Sequence, residues 1–310
     1  MQKKPTKVGL VGVPLGFGAA QIGSELGVNA IRHSRIRGRT LVEHISDLGY
    51  EVTDHGDVEI VRPSGRAKPG DNPKYLSEMI ASCGKIFSAV QHVTESGDLP
   101  VILGGEHSIA LATYPAVASK SEGPCGLLWF DAHADMNTPQ TSPTGNIHGM
   151  PLAVIFGRGD PGLVEIGGPS TRLDPQYFAH VGARDLDVGE RSLISELGLR
   201  DRFFTMSDID RRGMPACMDD ALKRVSRAPG GFAVTFDVDV IDPRFAPGSG
   251  TLVRGGATYR EAHLALEMIA EHGGMRSFEI VEVNPMLDQS NITVELACEL
   301  ILSALGKTIL

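Results

Sequence analysis

Apolar residues fall into short unbroken runs, separated by longer stretches in which they recur every three or four positions. The runs at 7–13, 99–103, 126–131, 178–183, 232–238 and 277–283 predict β-strands, with weaker ones at 50–54 and 202–205. Segments 75–95, 108–118, 189–198, 214–227, 258–272 and 293–305 carry the helical period, and several end close to a glycine stop signal. PVILGG, GLLWFD and FAVTFD are apolar at nearly every position, as strands of a parallel sheet covered on both faces must be. The alternation predicts an α/β fold in three layers, with right-handed crossovers.

Composition narrows the classes of function. The 310 residues are 42% hydrophobic and 22% charged, with no uncharged apolar stretch long enough to cross a bilayer, so no membrane-spanning role is expected. With 29 Lys+Arg against 38 Asp+Glu the net charge is −9, which argues against a nucleic-acid partner. Cys83, Cys125, Cys217 and Cys298 are far apart and form no CxxC pair, so they read as reduced, partly buried thiols. The start, MQKKPTKVGLVGVPLGFGAAQIG, carries Pro14 and several glycines and lacks a convincing cleavage site. It reads as a first strand and loop, and a cytoplasmic location is expected. One long connection stands out, MNTPQTSPTGNIHGMP at 136–151, and a loop of that length in a compact domain is usually functional or disordered.

Three of the apolar runs finish in residues of metal-binding type. VILGGEH ends in His107, LLWFDAHAD supplies Asp131, His133 and Asp135, and AVTFDVDVIDP supplies Asp237 and Asp239. Within a cluster the residues are two apart, which in extended chain places them on one side, and sites in α/β folds assemble at the carboxyl ends of strands. Several carboxylates at the ends of apolar strands are costly to desolvate together, and a cation is the natural compensation. Four aspartates would be neutralised by two divalent ions, with Asp131 and Asp237 placed to bridge them. Oxygen-rich, thiolate-free ligands with a minority of imidazole point to Mn²⁺, although Zn²⁺, Co²⁺ or Ni²⁺ would bind at least as tightly in a test tube. A single DxD or DxH is common in turns and caps. Three clusters in succession, each after a strand-like run, carry the metal reading. His33, His44, His55, His92, His180, His263 and His272 lack such a setting and are expected to be surface or satisfied histidines.

The motifs GGEHS, DAHADMNTPQTSPTGNIHG, DVDVIDP and EVNP stand in the order found in the arginase branch of the ureohydrolase family, which the chain closely resembles from KVGLVGVP to its last helix. Agmatinases share DAHxD and DxD but generally lack the NTPxTSxxGNxHG loop. The resemblance implies one domain over residues 1–310, with an eight-stranded parallel sheet between helices. It implies a homotrimer or homohexamer, and hydrolysis of L-arginine to L-ornithine and urea by a hydroxide bridging two Mn²⁺ per subunit. By motif, His107, Asp131, Asp135 and Asp237 would bind one manganese, and His133, Asp131, Asp237 and Asp239 the other. Glu282 would grip the guanidinium, His148 would shuttle protons or protonate the leaving amine, and Asp135 would pass the proton to the leaving nitrogen. Asn137, Ser142 and Thr144 would contact the α-carboxylate, with ordinary turn formation as the alternative for each. Asp187 would face the α-amino group with Glu190 in support, Thr251 would line the guanidinium end, and the Arg260/Glu261 pair would fit an intersubunit contact or a solvated helical charge pair.

The chain departs from the usual pattern at Val240, where glycine is common, and at Leu252, where proline often follows the threonine. The loop GFGAAQIGSELGV lacks a frequent arginine and glycines, and Glu106 replaces the more frequent Asp. None is an expected ligand. A nucleotide-dependent dehydrogenase is excluded by glycine spacing, since Gly16 and Gly18 are followed by Gln21, and no GxxxxGK[ST] loop exists. Two rivals remain: a ureohydrolase for another guanidino compound, and a metal-binding protein of the same fold without turnover.

Overall fold

The computed structural model describes residues 6–308. Eight strands, β1 (Lys7–Val13), β2 (Glu51–Asp57), β3 (Leu99–Gly104), β4 (Gly126–Phe130), β5 (Phe178–Val181), β6 (Phe203–Phe204), β7 (Phe232–Asp237) and β8 (Met275–Val281), form one sheet in the order β2-β1-β3-β8-β7-β4-β5-β6. Every neighbouring pair is parallel. Helices α1 (Gly27–His33), α2 (Leu41–Asp47), α3 (Leu76–Glu95), α4 (Ala110–Ser119), α5 (Pro151–Ile155) and α6 (Pro161–Val164) occupy the first half of the chain. The second half contributes α7 (Val188–Glu196), α8 (Met206–Arg212), α9 (Met214–Val225), α10 (Tyr259–His272) and α11 (Ile292–Ala304). The three-layer α/β expectation holds. No helix among the described residues is long and apolar enough to cross a membrane.

The unbroken apolar runs serve two cores at once. In β4, Leu128 and Phe130 enter one buried cluster with α9, α10 and α11, while Leu127 and Trp129 enter the other with α3, α4 and α5. Side chains alternate across a strand, so a sheet covered on both faces needs apolar residues at consecutive positions. The weaker signals mark the sheet edges: β2 is largely solvent-facing and β6 has only two residues. Helix α3 begins one residue later than expected because Tyr75 adopts a left-handed conformation, φ 54°. The four cysteines are free and fully buried rather than partly so.

One histidine and, within the subunit, one charge pair fall out differently from expectation. His180, on β5, is completely buried and stacked on Phe203, and neither ring nitrogen has a hydrogen-bond partner among the described residues. Burial pushes its pKa down to about 4, so it is kept neutral rather than satisfied. His263 meets the expectation through Ser303 Oγ at 2.8 Å. Arg260 and Glu261 do not act as a pair. Glu261 forms a capping box with Thr258 at the start of α10, and Arg260 reaches Glu267 at 3.3 Å, two turns along the same helix.

Sheet order explains how distant motifs meet. The four central strands, β3-β8-β7-β4, carry His107, Glu282, Asp237 and Asp131 at or within three residues of their carboxyl ends. Gly105 lets the β3 loop press against the β1 loop, because a Cβ there would lie 1.9 Å from Leu15 O.

Candidate active site

The ligand clusters converge, but not by strand alternation. β4 ends at Phe130, so Asp131, His133 and Asp135 lie in the following turn, where Asp135 has φ 51°. Asp239 sits on a 3-10 turn, Val238–Val240, beyond β7. Tight turns fold the two-residue spacings inward at the point where the strands stop.

His107 Nδ1 stands 3.1 Å from Asp131 Oδ2, 3.2 Å from Asp135 Oδ2 and 3.3 Å from Asp237 Oδ2. His133 Nδ1 stands 3.4 Å from Asp131 Oδ1 and 3.1 Å from Asp239 Oδ2. Asp131 therefore turns one oxygen to each imidazole. Its remaining contacts hold it in that pose, with Trp129 Nε1 donating to Oδ2 at 3.1 Å and His133 N to Oδ1 at 2.7 Å. Asp237 Oδ1 accepts from Asp239 N at 2.8 Å, which leaves Oδ2 facing His107. Asp239 Oδ1 accepts from Ala132 N at 3.1 Å and Oδ2 from Thr251 Oγ1 at 3.0 Å.

Behind His107 a polar chain runs into the core. His107 Nε2 lies 2.9 Å from Thr235 Oγ1, Thr235 hydrogen-bonds Glu279, and Glu279 Oε2 accepts from Thr113 Oγ1 at 2.6 Å. With the Thr235 proton given to Glu279, the threonine oxygen accepts from Nε2–H, and Nδ1 is left as a lone pair. That lone pair points at three carboxylate oxygens, and Nδ1 and Asp135 Oδ2 are buried with no hydrogen-bond partner among the described residues. Electron pairs from four acceptors at this separation repel unless positive charge lies between them, and a proton can satisfy only one oxygen at a time. Two groups, His107/Asp131/Asp135 and Asp131/His133/Asp239, each keep their ligand atoms within 4.8 Å of one another, about the span of one ion with bonds near 2.1 Å. The residues fit a metal.

The charges respond accordingly. Burial and the neighbouring Asp131 push Asp135 well above the usual carboxylate range, and burial and Asp239 do the same to Asp237. Burial also works to raise Asp131, but the imidazoles of His107 and His133 beside it outweigh burial and hold this carboxyl well below that range.

A cavity of about 180 Å³ opens onto the cluster, walled by Asn137, Ser142, Thr144, His148, Asp187 and Thr251. A larger hollow of about 1070 Å³ beside β6 contains none of the site residues predicted from sequence. His148 Nδ1 is 3.1 Å from Glu282 Oε1, which also accepts from His107 N at 3.1 Å. Glu282 Oε2 accepts no hydrogen bond among the described residues, so one oxygen remains for a ligand. Burial opposes a proton on His148, but Glu282 outweighs it and raises the imidazole above its ordinary value.

Several wall residues already have protein partners. Asn137 Nδ2 donates to Asp187 Oδ2 at 2.7 Å, and its Oδ1 accepts from Thr141 Oγ1 at 2.8 Å. Ser142 Oγ accepts from Gly145 N at 2.9 Å and Thr144 Oγ1 from Asn146 N at 3.2 Å, the turn-forming alternative. Accepting leaves each hydroxyl hydrogen free to donate. Asp187 caps α7, and Glu190 completes the capping box. Glu190 Oε1 also accepts from Ala134 N at 3.3 Å and Met136 N at 3.4 Å, so it fastens the 131–136 turn to α7. Thr251 lines the cavity while its hydroxyl donates to Asp239.

The Arginase family model matches residues 6–306. The chain belongs to the arginase family. It is 42% identical to the arginase of Bacillus subtilis (strain 168) over 303 residues, 98% of this chain and 99% of that one. Its fold superposes on the native structure of the Bacillus caldovelox arginase at pH 5.6 with TM-score 0.92 and 39% identity, covering 98% of this chain and 100% of the other. It superposes on the Entamoeba histolytica arginase solved with L-ornithine with TM-score 0.87 and 29% identity, covering 98% and 100%. Against the family pattern, Val240 packs its Cγ2 over Gly182, where φ is +103° and an added Cβ would lie 2.3 Å from that methyl. Leu252 is 43% exposed, and Gln21 lies against Gly250. Glu106 is buried and accepts from Gly18 N at 3.2 Å and Ser108 N at 2.9 Å, so the longer acid finds partners. Family membership also puts the metal-type cluster in context, whereas Thr235 and Glu279 carried no signal in sequence: each is a polar residue within a strand and outside every motif.

Proposed function

We propose that the chain hydrolyses the guanidinium of L-arginine to give L-ornithine and urea, with two Mn²⁺ per subunit. Asp131 carries this reading, because one buried carboxylate serves both ligand groups, and its neighbours His107, His133, Asp135 and Asp237 line a cavity of small-substrate size. His107, Asp131, Asp135 and Asp237 would hold one ion, and His133, Asp131, Asp237 and Asp239 the other. The oxygen-rich, thiolate-free donor set favours manganese. Bound there, two divalent cations would acidify a water and stabilise negative charge developing in the transition state.

The chain's own side chains then orient substrate and move protons. Glu282 Oε2 offers a carboxylate oxygen to the planar guanidinium and turns its central carbon toward the cluster. Asp135 Oδ2 holds the proton released by the attacking water and passes it to the leaving nitrogen. His148, its proton favoured by Glu282, supplies or relays a proton at the cavity mouth. Asn137, Ser142 and Thr144 present neutral donors to the α-carboxylate, which leaves the product free to depart. Asp187 faces the α-amino group, Glu190 holds Asp187 and the 131–136 turn in register, and Thr251 steadies Asp239. The E. histolytica relative binds L-ornithine, the product this reaction would release. Assembly as a homotrimer or homohexamer rests on the family resemblance and is tested by light scattering; a cytoplasmic location rests on the reading of residues 1–23 as a first strand and loop.

The deciding assay is urea release from arginine and agmatine, side by side, in Mn²⁺ and after chelation. Strong, metal-dependent preference for arginine is expected. Equal rates on both would remove the carboxylate role of the 136–149 loop, and metal uptake without urea would favour a non-catalytic binding protein.

A further inference from the structure

The loop facing the α-carboxylate end of the cavity is strapped down by a segment outside every sequence motif. Residues 72–74, just before α3, reach it at three points. Asn72 Nδ2 donates to Pro139 O at 2.6 Å, Lys74 N to Gly145 O at 2.9 Å, and Lys74 Nζ to Asn146 Oδ1 at 2.8 Å. Asn146 is 6% exposed and lines the cavity beside Ser142 and Thr144.

The chemistry of that last contact fixes an orientation. An ammonium has donors and no acceptor, so the Asn146 amide must turn its oxygen toward Lys74 and its NH₂ the other way. The NH₂ donates to no protein atom among the described residues. Lys74 is half-buried and has no carboxylate partner among those residues, so its charge is not cancelled locally. Outside the ligand set the cavity walls carry Asp187 and Glu190, carboxylates that disfavour an incoming anion.

We propose that Lys74 is a positioning and specificity residue for substrates bearing an α-carboxylate. It fixes Asn146 as a donor facing the cavity and sets a positive charge behind that donor. This rests on the arginine reading above and deepens it. Asn146 is the group that touches substrate, and Lys74 acts through it.

The test is steady-state kinetics of the manganese-loaded wild type, Lys74→Met and Lys74→Arg on arginine and on agmatine. Lys74→Met should raise KM for arginine about tenfold, the usual worth of a charge-assisted hydrogen bond, with kcat held within about twofold. Agmatine kcat/KM should stay at the wild-type level, and Lys74→Arg should recover most of the arginine KM. If Lys74→Met lowers kcat on both substrates alike, Lys74 only scaffolds the loop carrying His148 and the proposal is overturned. Unchanged KM overturns it as well. A wild type that does not prefer arginine fails the parent reading before any variant is compared, so the two failures are distinguishable.

Discussion

Thr235→Val should weaken metal binding although Thr235 touches no metal. The substitution keeps side-chain shape and removes the oxygen that lies 2.9 Å from His107 Nε2. Both residues are about 1% exposed, so no solvent replaces the lost acceptor. Leaving Nε2–H unpaired in the core costs about 1–3 kcal/mol. The ring escapes that cost by moving its proton to Nδ1, where Asp131, Asp135 and Asp237 accept it, and the proton then occupies the position a metal needs. Either route charges the penalty to the metal-bound state, and about 1–3 kcal/mol corresponds to a roughly 5- to 150-fold loss of affinity, in line with the 10–100-fold typical of groups that orient a ligating histidine. Calorimetry of Mn²⁺ binding to metal-stripped protein measures it, with thermal unfolding of the stripped protein as the check on folding. Thr113→Val, which removes a donor from Glu279 without touching His107, should cost less. A folded Thr235→Val protein with wild-type Mn²⁺ affinity would refute the tautomer argument.

Asp131→Asn removes the negative charge that both ligand groups share and one of its two oxygens, so metal content by elemental analysis and urea production should fall together. His148→Asn should keep its metal but lower kcat by about 10² to 10⁴, and normal turnover would clear His148 of a proton-transfer role. Asp242 accepts hydrogen bonds from Arg244 and from Gly255 N and Gly256 N, and although burial works the other way these bonds draw its pKa from 3.8 down to about 2. A folded-state pKa below the unfolded value adds stability above about pH 3.8 that is lost as pH falls through 2. Asp242→Asn should therefore cost about 1–2 kcal/mol in urea unfolding at pH 7, shrinking toward zero near pH 2.

Apolar periodicity made the sheet and most helices legible, because a strand buried on both faces admits almost no polar position and its run stops where the ligands begin. Family motifs likewise marked His107, Asp131, His133, Asp135, Asp237, Asp239, His148 and Glu282, which the structure gathers at the ends of four adjacent strands. The edge strand β6 was faint because two residues at a sheet margin bury too little to impose a pattern. Within the subunit Arg260 and Glu261 do not pair, because adjacent helical residues point apart: Arg260 reaches Glu267 along α10, and Glu261 joins Thr258 in the cap that precedes it. Thr235, Glu279 and Lys74 left no mark at all. A polar group inside a strand or a lysine in a loop takes its role from what packs beside it, and the partners Asn146 and Lys74 are 72 residues apart along the chain. Residue types and local spacing thus determined which groups could do chemistry, while only the packed sheet decided which electron pairs face each other, since desolvation and hydrogen-bond direction act through space rather than along the chain.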